Sequence, residues 1–299
     1  MGKNKGIFKK IVAGVMTFTM CLGMVTPAFA KEDSKKTKPS YNADMVIAMD
    51  VSGSMSGSKL TKAKKSAKKM AESIWKEQGD YRINVRIGLV TFESSVVHHK
   101  NDGKDFFEKK DKEKLFKTID GFTDKDMTFT QGGLHEARKM FEKSNSDKKI
   151  IVLLSDGDAN YIYPSKIDVK DYYNNKKDIP DGSFYYDKAG INPNNDNVAK
   201  YCAIQEARLA EKDNINVLDI YTLAVDCDSN TKKFLEDIAT DPDHAKDADT
   251  DDIEDTFEDL TKEIKTKLEK EELEKEIEDL NKKIEELDKD KKELEKGKD

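Results

Sequence analysis

The sequence predicts an α/β fold: a doubly wound, mostly parallel sheet with helices on both faces, followed by a long C-terminal helix or coiled coil. Three observations predict it. Continuous apolar runs at 45–49 (MVIAM) and 150–154 (IIVLL) are bounded by polar residues, as strands buried on both faces of a parallel sheet must be. Between such runs, apolar residues recur at three- and four-residue spacing, the period of one helix face. After Asp251 the composition shifts to roughly two charged residues in three with no proline, which is long-helix composition.

The elements follow in chain order. Lys3, Lys5, Lys9 and Lys10 precede an apolar run over 11–25, then Pro27 and Ala28-Phe29-Ala30. A basic start, a short apolar stretch and a small-x-small ending are the parts of an export signal, and the run is short for a membrane span. Residues 1–30 are therefore expected to be a signal peptide, with an uncleaved anchor as the alternative. Cys21 does not suggest a lipoprotein, because Thr19-Met20 lacks the small residue that such processing requires. Residues 31–41 are charged, lack an apolar cluster and contain Pro39, so a disordered leader is expected there.

The folded domain is expected over 42–268. Its first strand, at 45–49, leads to a helix face marked by Leu60, Ala63, Ala67, Met70 and Ile74. A strand at 83–92, helices at 106–119 and 134–141, and a strand at 150–154 come next. A helix at 198–210, a strand at 217–225 and a short helix at 234–239 complete the series. Strands alternating with helices build a sheet covered on both sides.

Residues 269–299 form the tail. Leu273, Ile277, Leu280, Ile284, Leu287 and Leu294 fall on alternating four- and three-residue steps, with Lys291 in the apolar slot between the last two. Ile at one heptad position and Leu at the other favours a parallel two-stranded coiled coil, hence a homodimer through this helix. The alternative is a single solvated helix held by Glu–Lys pairs, each contributing about 0.2 to 0.5 kcal/mol.

The formal charge of −7 becomes more negative once the four lysines of the signal are gone. Nucleic acid is not an expected partner, because its binding rests on neutralising phosphates and no basic patch with interleaved aromatics is present. No membrane association is expected after signal cleavage. No sorting motif or apolar tail follows Asp251, so covalent attachment to a wall is not expected either. Cys202 and Cys227 remain in the mature chain and admit one disulfide, with two free thiols as the alternative. Cys202 early in its helix and Cys227 just past its strand would share the edge where helices start and strands end.

That edge carries the chemistry. Asp50-Val51-Ser52-Gly53-Ser54 follows the first strand, and Asp156 ends a later strand in Leu153-Leu154-Ser155-Asp156-Gly157-Asp158. Ligands of open α/β sheets bind at the carboxyl ends of the strands. Two carboxylates brought together there repel unless a positive charge lies between them. With Ser52 and Ser54, and a third hydroxyl from Thr128 in Met127-Thr-Phe-Thr-Gln-Gly-Gly-Leu134, the donors are all hard oxygens. Such a set suits Mg2+, then Mn2+ or Ca2+. The plain alternative is that Asp50 or Ser54 only caps the first helix. Thr130 is expected to be a loop hydrogen bonder, Asp158 to support the ligands from behind, and His98, His99, His135 and His244 to lie at the surface. No nucleophile–base arrangement is indicated by spacing, so an enzyme is not expected.

The three segments D-x-S-x-S, T-x-T-x-G-G-L and apolar-apolar-Ser-Asp-Gly, in this order, resemble the metal loops of von Willebrand factor type A domains, which have a Rossmann-like fold. The resemblance covers about two-thirds of the chain. It implies that Asp50, Ser52, Ser54, Thr128 and Asp156 form a metal-ion-dependent adhesion site, directly or through water. It further implies that an acidic residue of a partner protein fills the open coordination position. The expected function is thus a secreted adhesion or protein-binding domain. The alternative is a cell-envelope assembly protein in which the coiled coil mediates interaction and the ion is structural.

Residues 157–196 are a long insertion beginning at this site, with six of the ten tyrosines: Tyr161, Tyr163, Tyr172, Tyr173, Tyr185 and Tyr186. Loops of this length are usually functional or disordered. The insertion either shapes the specificity of the metal face or packs upon itself as a flap over the sheet edge.

Overall fold

The computed structural model describes residues 41–76, 83–214 and 217–296; the expected signal peptide, and all of the expected leader but Tyr41, lie outside them. The apolar runs become strands β1 (Tyr41–Asp50), β2 (Ile83–Phe92), β4 (Lys148–Ser155) and β5 (Leu218–Val225). With β3 (Val96–His98) and β6 (Ala245–Ala248) they form one sheet in the order β3-β2-β1-β4-β5-β6, parallel except for β3. Alternate residues of β1 feed two cores. Met45, Ile47 and Met49 face α1 (Ser58–Lys76), α2 (Lys112–Asp120) and the first half of α7 (Ile253–Lys296). Val46 and Ala48 face α3 (Thr130–Met140), α4 (Val169–Asn174), α5 (Asp196–Asp213) and α6 (Ser229–Ile238). Burial on both sides is why β4 carries the unbroken apolar run Ile150–Leu154 rather than an alternating pattern.

The departures from expectation have local causes. β3 and β6 are edge strands of three and four residues, too short to show a period. Phe106 and Phe107 are not helical. Phe107 exchanges two backbone hydrogen bonds with Ile87 at 2.9 and 2.8 Å, extending the sheet edge, and the helix begins only at Lys112. Conversely α3 starts four residues before Leu134, because Gly132 and Gly133 let its first turn lie against β2. A Cβ on Gly133 would sit 2.5 Å from the Phe92 ring.

The histidines are not surface residues. His244 is buried, and His98, His99 and His135 are half-buried, His99 bonded to Thr91 at 2.8 Å and His135 stacked on Tyr186 at 3.7 Å between centroids. Among the described residues the expected disulfide is absent, and Cys202 and Cys227 are free thiols. Cys202 lies two turns inside α5 within the core, while the Cys227 thiol turns back toward the Ser155 and Val225 carbonyls.

The insertion is ordered around α4 and two bridges, Ile162↔Ile191 and Ser165↔Phe184. Tyr163 is buried, and Tyr161, Tyr172, Tyr173 and Tyr186 pack against the second core. Only Tyr185 of the six is exposed. Most of the segment's tyrosines are therefore packed inward. At the C-terminus, α7 runs for 44 residues without a break, joining the last domain helix to the tail. Among the described residues no helix is long and apolar enough to cross a membrane.

Candidate metal centre

β1 and β4 are neighbours, so the ends of both deliver their carboxylates to one edge of the sheet. After Asp50 the chain makes a 3-10 turn, Gly53–Met55, anchored by the fully buried Met55. α1 begins only at Ser58, and neither Asp50 nor Ser54 caps it; the capping alternative fails. The second loop is zipped to the first by backbone hydrogen bonds from Lys125 N to the Val51 carbonyl, 2.9 Å, and from Gly53 N to the Asp126 carbonyl, 3.1 Å. Thr128 is tied in turn to the third loop. Its N–H donates to Asn160 Oδ1 at 2.9 Å and its carbonyl accepts from Asn160 N at 3.0 Å.

These ties bring the five expected residues together. Ser52 N donates to Asp50 Oδ1 at 2.8 Å, and Ser155 Oγ donates to Asp50 Oδ2 at 2.5 Å. The Ser52 and Ser54 hydroxyls are 3.0 Å apart, and Ser54 Oγ donates to Asp156 Oδ1 at 2.6 Å. A Cβ built on Gly157 would meet Ser54 Oγ at 3.6 Å and Thr128 Oγ1 at 3.9 Å, which places the third loop directly beside both hydroxyls. Ser52, Ser54 and Thr128 line a solvent-open crevice of about 450 Å³ with Ser94, Met127, Asn160 and Tyr161. An opening of this kind admits a side chain from another molecule.

The electrostatics single out a deficit of positive charge. Asp50 is completely buried, and desolvation pushes its carboxyl up to about 7 despite the hydrogen bonds from Ser155 and Ser52 that favour the charged form. Asp156 carries a partner that sequence reading missed. Lys59 Nζ lies 2.7 Å from Asp156 Oδ2 and 3.7 Å from Asp226, and the ammonium stands where positive charge is wanted. The signal for it was a lysine early in the first helix, indistinguishable in sequence from the exposed lysines around it. Ser155 was missed too, although it neighbours Asp156 in the same segment.

Two other expectations are corrected. Thr130 is not in a loop; it opens α3, and its hydroxyl is buried with no hydrogen-bond partner among the described residues. Asp158 turns away from the crevice, accepting from Thr231 Oγ1 and pairing with Lys200 at 2.7 Å. Among the described residues, no three Asp, Glu, His or Cys side chains converge as a metal cluster. The five-residue set has two carboxylates and three hydroxyls. It fits a hard divalent cation on two grounds: a buried carboxylate short of positive charge, and an ammonium already standing on the other.

Residues 44–263 match the von Willebrand factor type A domain, and the chain belongs to that family. Among solved structures it is similar to the vWF domain of the type V pili tip protein Mfa5 from Porphyromonas gingivalis, with a TM-score of 0.63 and 21% identity over 76% of this chain and 96% of that one. It is also similar to the pilus adhesin SpaC from Lactobacillus rhamnosus GG, with a TM-score of 0.58 and 18% identity over 78% of this chain but 31% of that one. The PilB minor pilin from Streptococcus sanguinis gives a TM-score of 0.57 and 16% identity over 79% of this chain and 64% of that one. At these identities the likeness is one of fold. No curated protein sequence matches.

Proposed function

We propose that this chain is an exported, non-enzymatic adhesion or protein-binding domain that captures an acidic side chain of a partner protein through a divalent cation, Mg2+ first. The observation that carries it is that Ser52, Ser54 and Thr128 line one open crevice while the buried Asp50 and Asp156 stand behind it, hydrogen-bonded to Ser52 and Ser54, with Asp50 short of positive charge. Those five residues would hold the ion. When bound, it supplies a hard positive charge with a coordination position left for an outside carboxylate.

The protein's own residues do the rest. Ser155 and the Ser52 N–H fix the Asp50 carboxylate in one orientation. Asn160 sets the height of the Thr128 loop. Tyr161 and Met127 line the rim of the crevice and present apolar surface beside the incoming acid. The fold likeness to bacterial pilus proteins supports a place outside the cell.

The test is capture from host or bacterial surface extract with and without Mg2+, using Asp50→Ala as control. Metal-dependent capture lost in the variant is expected; capture indifferent to both would sink the proposal. The assembly reading, in which the ion is structural, is favoured by the exposed apolar stripe on α7. Chelator separates the two: loss of capture with the melting transition intact supports adhesion, and loss of the fold supports a structural ion.

A further inference from the structure

The tail of α7 carries a second apolar stripe that the domain does not use. Within the domain, Ile253, Phe257, Leu260, Ile264 and Leu268 are buried against the sheet. Between Leu273 and Leu287 the apolar positions are Leu273, Ile277, Leu280, Ile284 and Leu287, between 45% and 67% exposed. At about 100° per residue, the mean directions of the two stripes differ by about 180°. The tail stripe is therefore turned away from the face the domain buries, and a continuous helix cannot fold it back.

A large apolar stripe left in water marks an interaction surface. Its flanks say what fits. With Ile277, Ile284 and Lys291 at the first core position of successive heptads and Leu at the fourth, the flanking positions between residues 274 and 295 are Glu274, Glu276, Asn281, Lys283, Asp288, Asp290 and Glu295. Five are acidic and one is basic. A parallel second copy would set Lys283 against Asp288, which attracts, but Asp290 against Glu295, which repels. It would also stack Lys291 upon Lys291 in a core layer. An antiparallel copy sets like against like: Glu276 with Asp290, and Lys283 with itself. Neither orientation gains from its flanks.

We infer that this stripe docks an amphipathic helix of a different protein, one with basic flanks and an acidic residue in the layer facing Lys291. Unlike the metal proposal, the inference needs no ion, and it replaces the homodimer expected from the heptads alone. The flank charges choose the partner, and the Ile and Leu side chains supply the buried area.

The test uses the full chain and two synthetic four-heptad peptides with Ile and Leu core positions. One has Lys at every flanking position and Glu in the layer facing Lys291, and the other has Glu flanks. The Lys-flanked peptide is expected to bind at least about tenfold more tightly, the sum of several flank pairs. The chain alone is expected to sediment as a monomer. A double variant, Leu280→Glu with Ile284→Glu, should abolish peptide binding and leave the melting temperature of the domain unchanged, since both residues are half exposed. A chain that sediments as a dimer, peptides that bind equally, or no binding of either would overturn the inference.

Discussion

Replacing Lys59 by Met removes the ammonium that occupies Asp156 and keeps the side-chain stem. The contact is short, 2.7 Å, and inside the protein: the Asp156 side chain is fully buried and that of Lys59 is 21% exposed. A charge-assisted hydrogen bond of this kind contributes about 1.5 to 3 kcal/mol net. An ion binding at Asp156 must displace it. Asp226, 3.7 Å from the same nitrogen, gives the ammonium a second seat and returns part of that energy. What remains opposing the ion is roughly 1.4 kcal/mol, a factor of about ten in affinity. Burial alone would lower the Lys59 pKa, but Asp156 and Asp226 outweigh it and raise it, so the ammonium is charged at neutral pH. Lys59→Met is therefore expected to bind Mg2+ about tenfold more tightly by isothermal titration calorimetry. Its metal-free form should melt at a lower temperature, because Asp156 is left buried with only Ser54 as donor. Asp226→Asn should act in the opposite direction and weaken Mg2+ binding. An unchanged or weaker affinity in Lys59→Met would refute the idea that the lysine competes with the ion.

Three further outcomes are expected. The carboxyl of Asp50 titrates near 7 in the metal-free fold against an ordinary value of 3.8, so between these pH values the folded state binds more protons than the unfolded one. Metal-free stability should thus fall as pH rises from about 4 to about 7 and level off above, and Asp50→Asn should flatten that slope in urea titrations. Gly133→Ala drives a methyl group to 2.5 Å from the Phe92 ring and should destabilise the domain by about 1 to 3 kcal/mol in thermal melts, the effect of overpacking a filled core. Tyr161→Ala should weaken partner capture in a pull-down and leave the melting temperature nearly unchanged, because this tyrosine lines the crevice and is only half-buried.

The fold and the site were legible in the sequence to different depths. Strands buried on both faces leave short runs of apolar residues bounded by polar ones, and β1 and β4 were visible for that reason, with β2 and β5 following from the alternation of strand and helix. Asp50, Ser52, Ser54 and Asp156 follow such runs, so the pairing of β1 with β4 brings them to one edge, whereas Thr128 reaches it through the hydrogen bonds that tie its loop to the other two. The Phe106-Phe107 pair misled, since two adjacent aromatics serve a helix face or a sheet edge equally well until a partner strand decides.

By itself the sequence determined the α/β alternation, the spacing of the five oxygen residues proposed as ligands and the charged heptads of the tail. These are matters of period and residue chemistry, which the chain carries locally. Only the tertiary structure decided that Lys59 stands on Asp156, that the insertion's tyrosines pack inward, that Cys202 and Cys227 stay apart, and that the tail's stripe faces away from the domain. Each of these depends on where distant segments meet or on the angle summed along a helix. The spacing of neighbours along the chain does not contain that information.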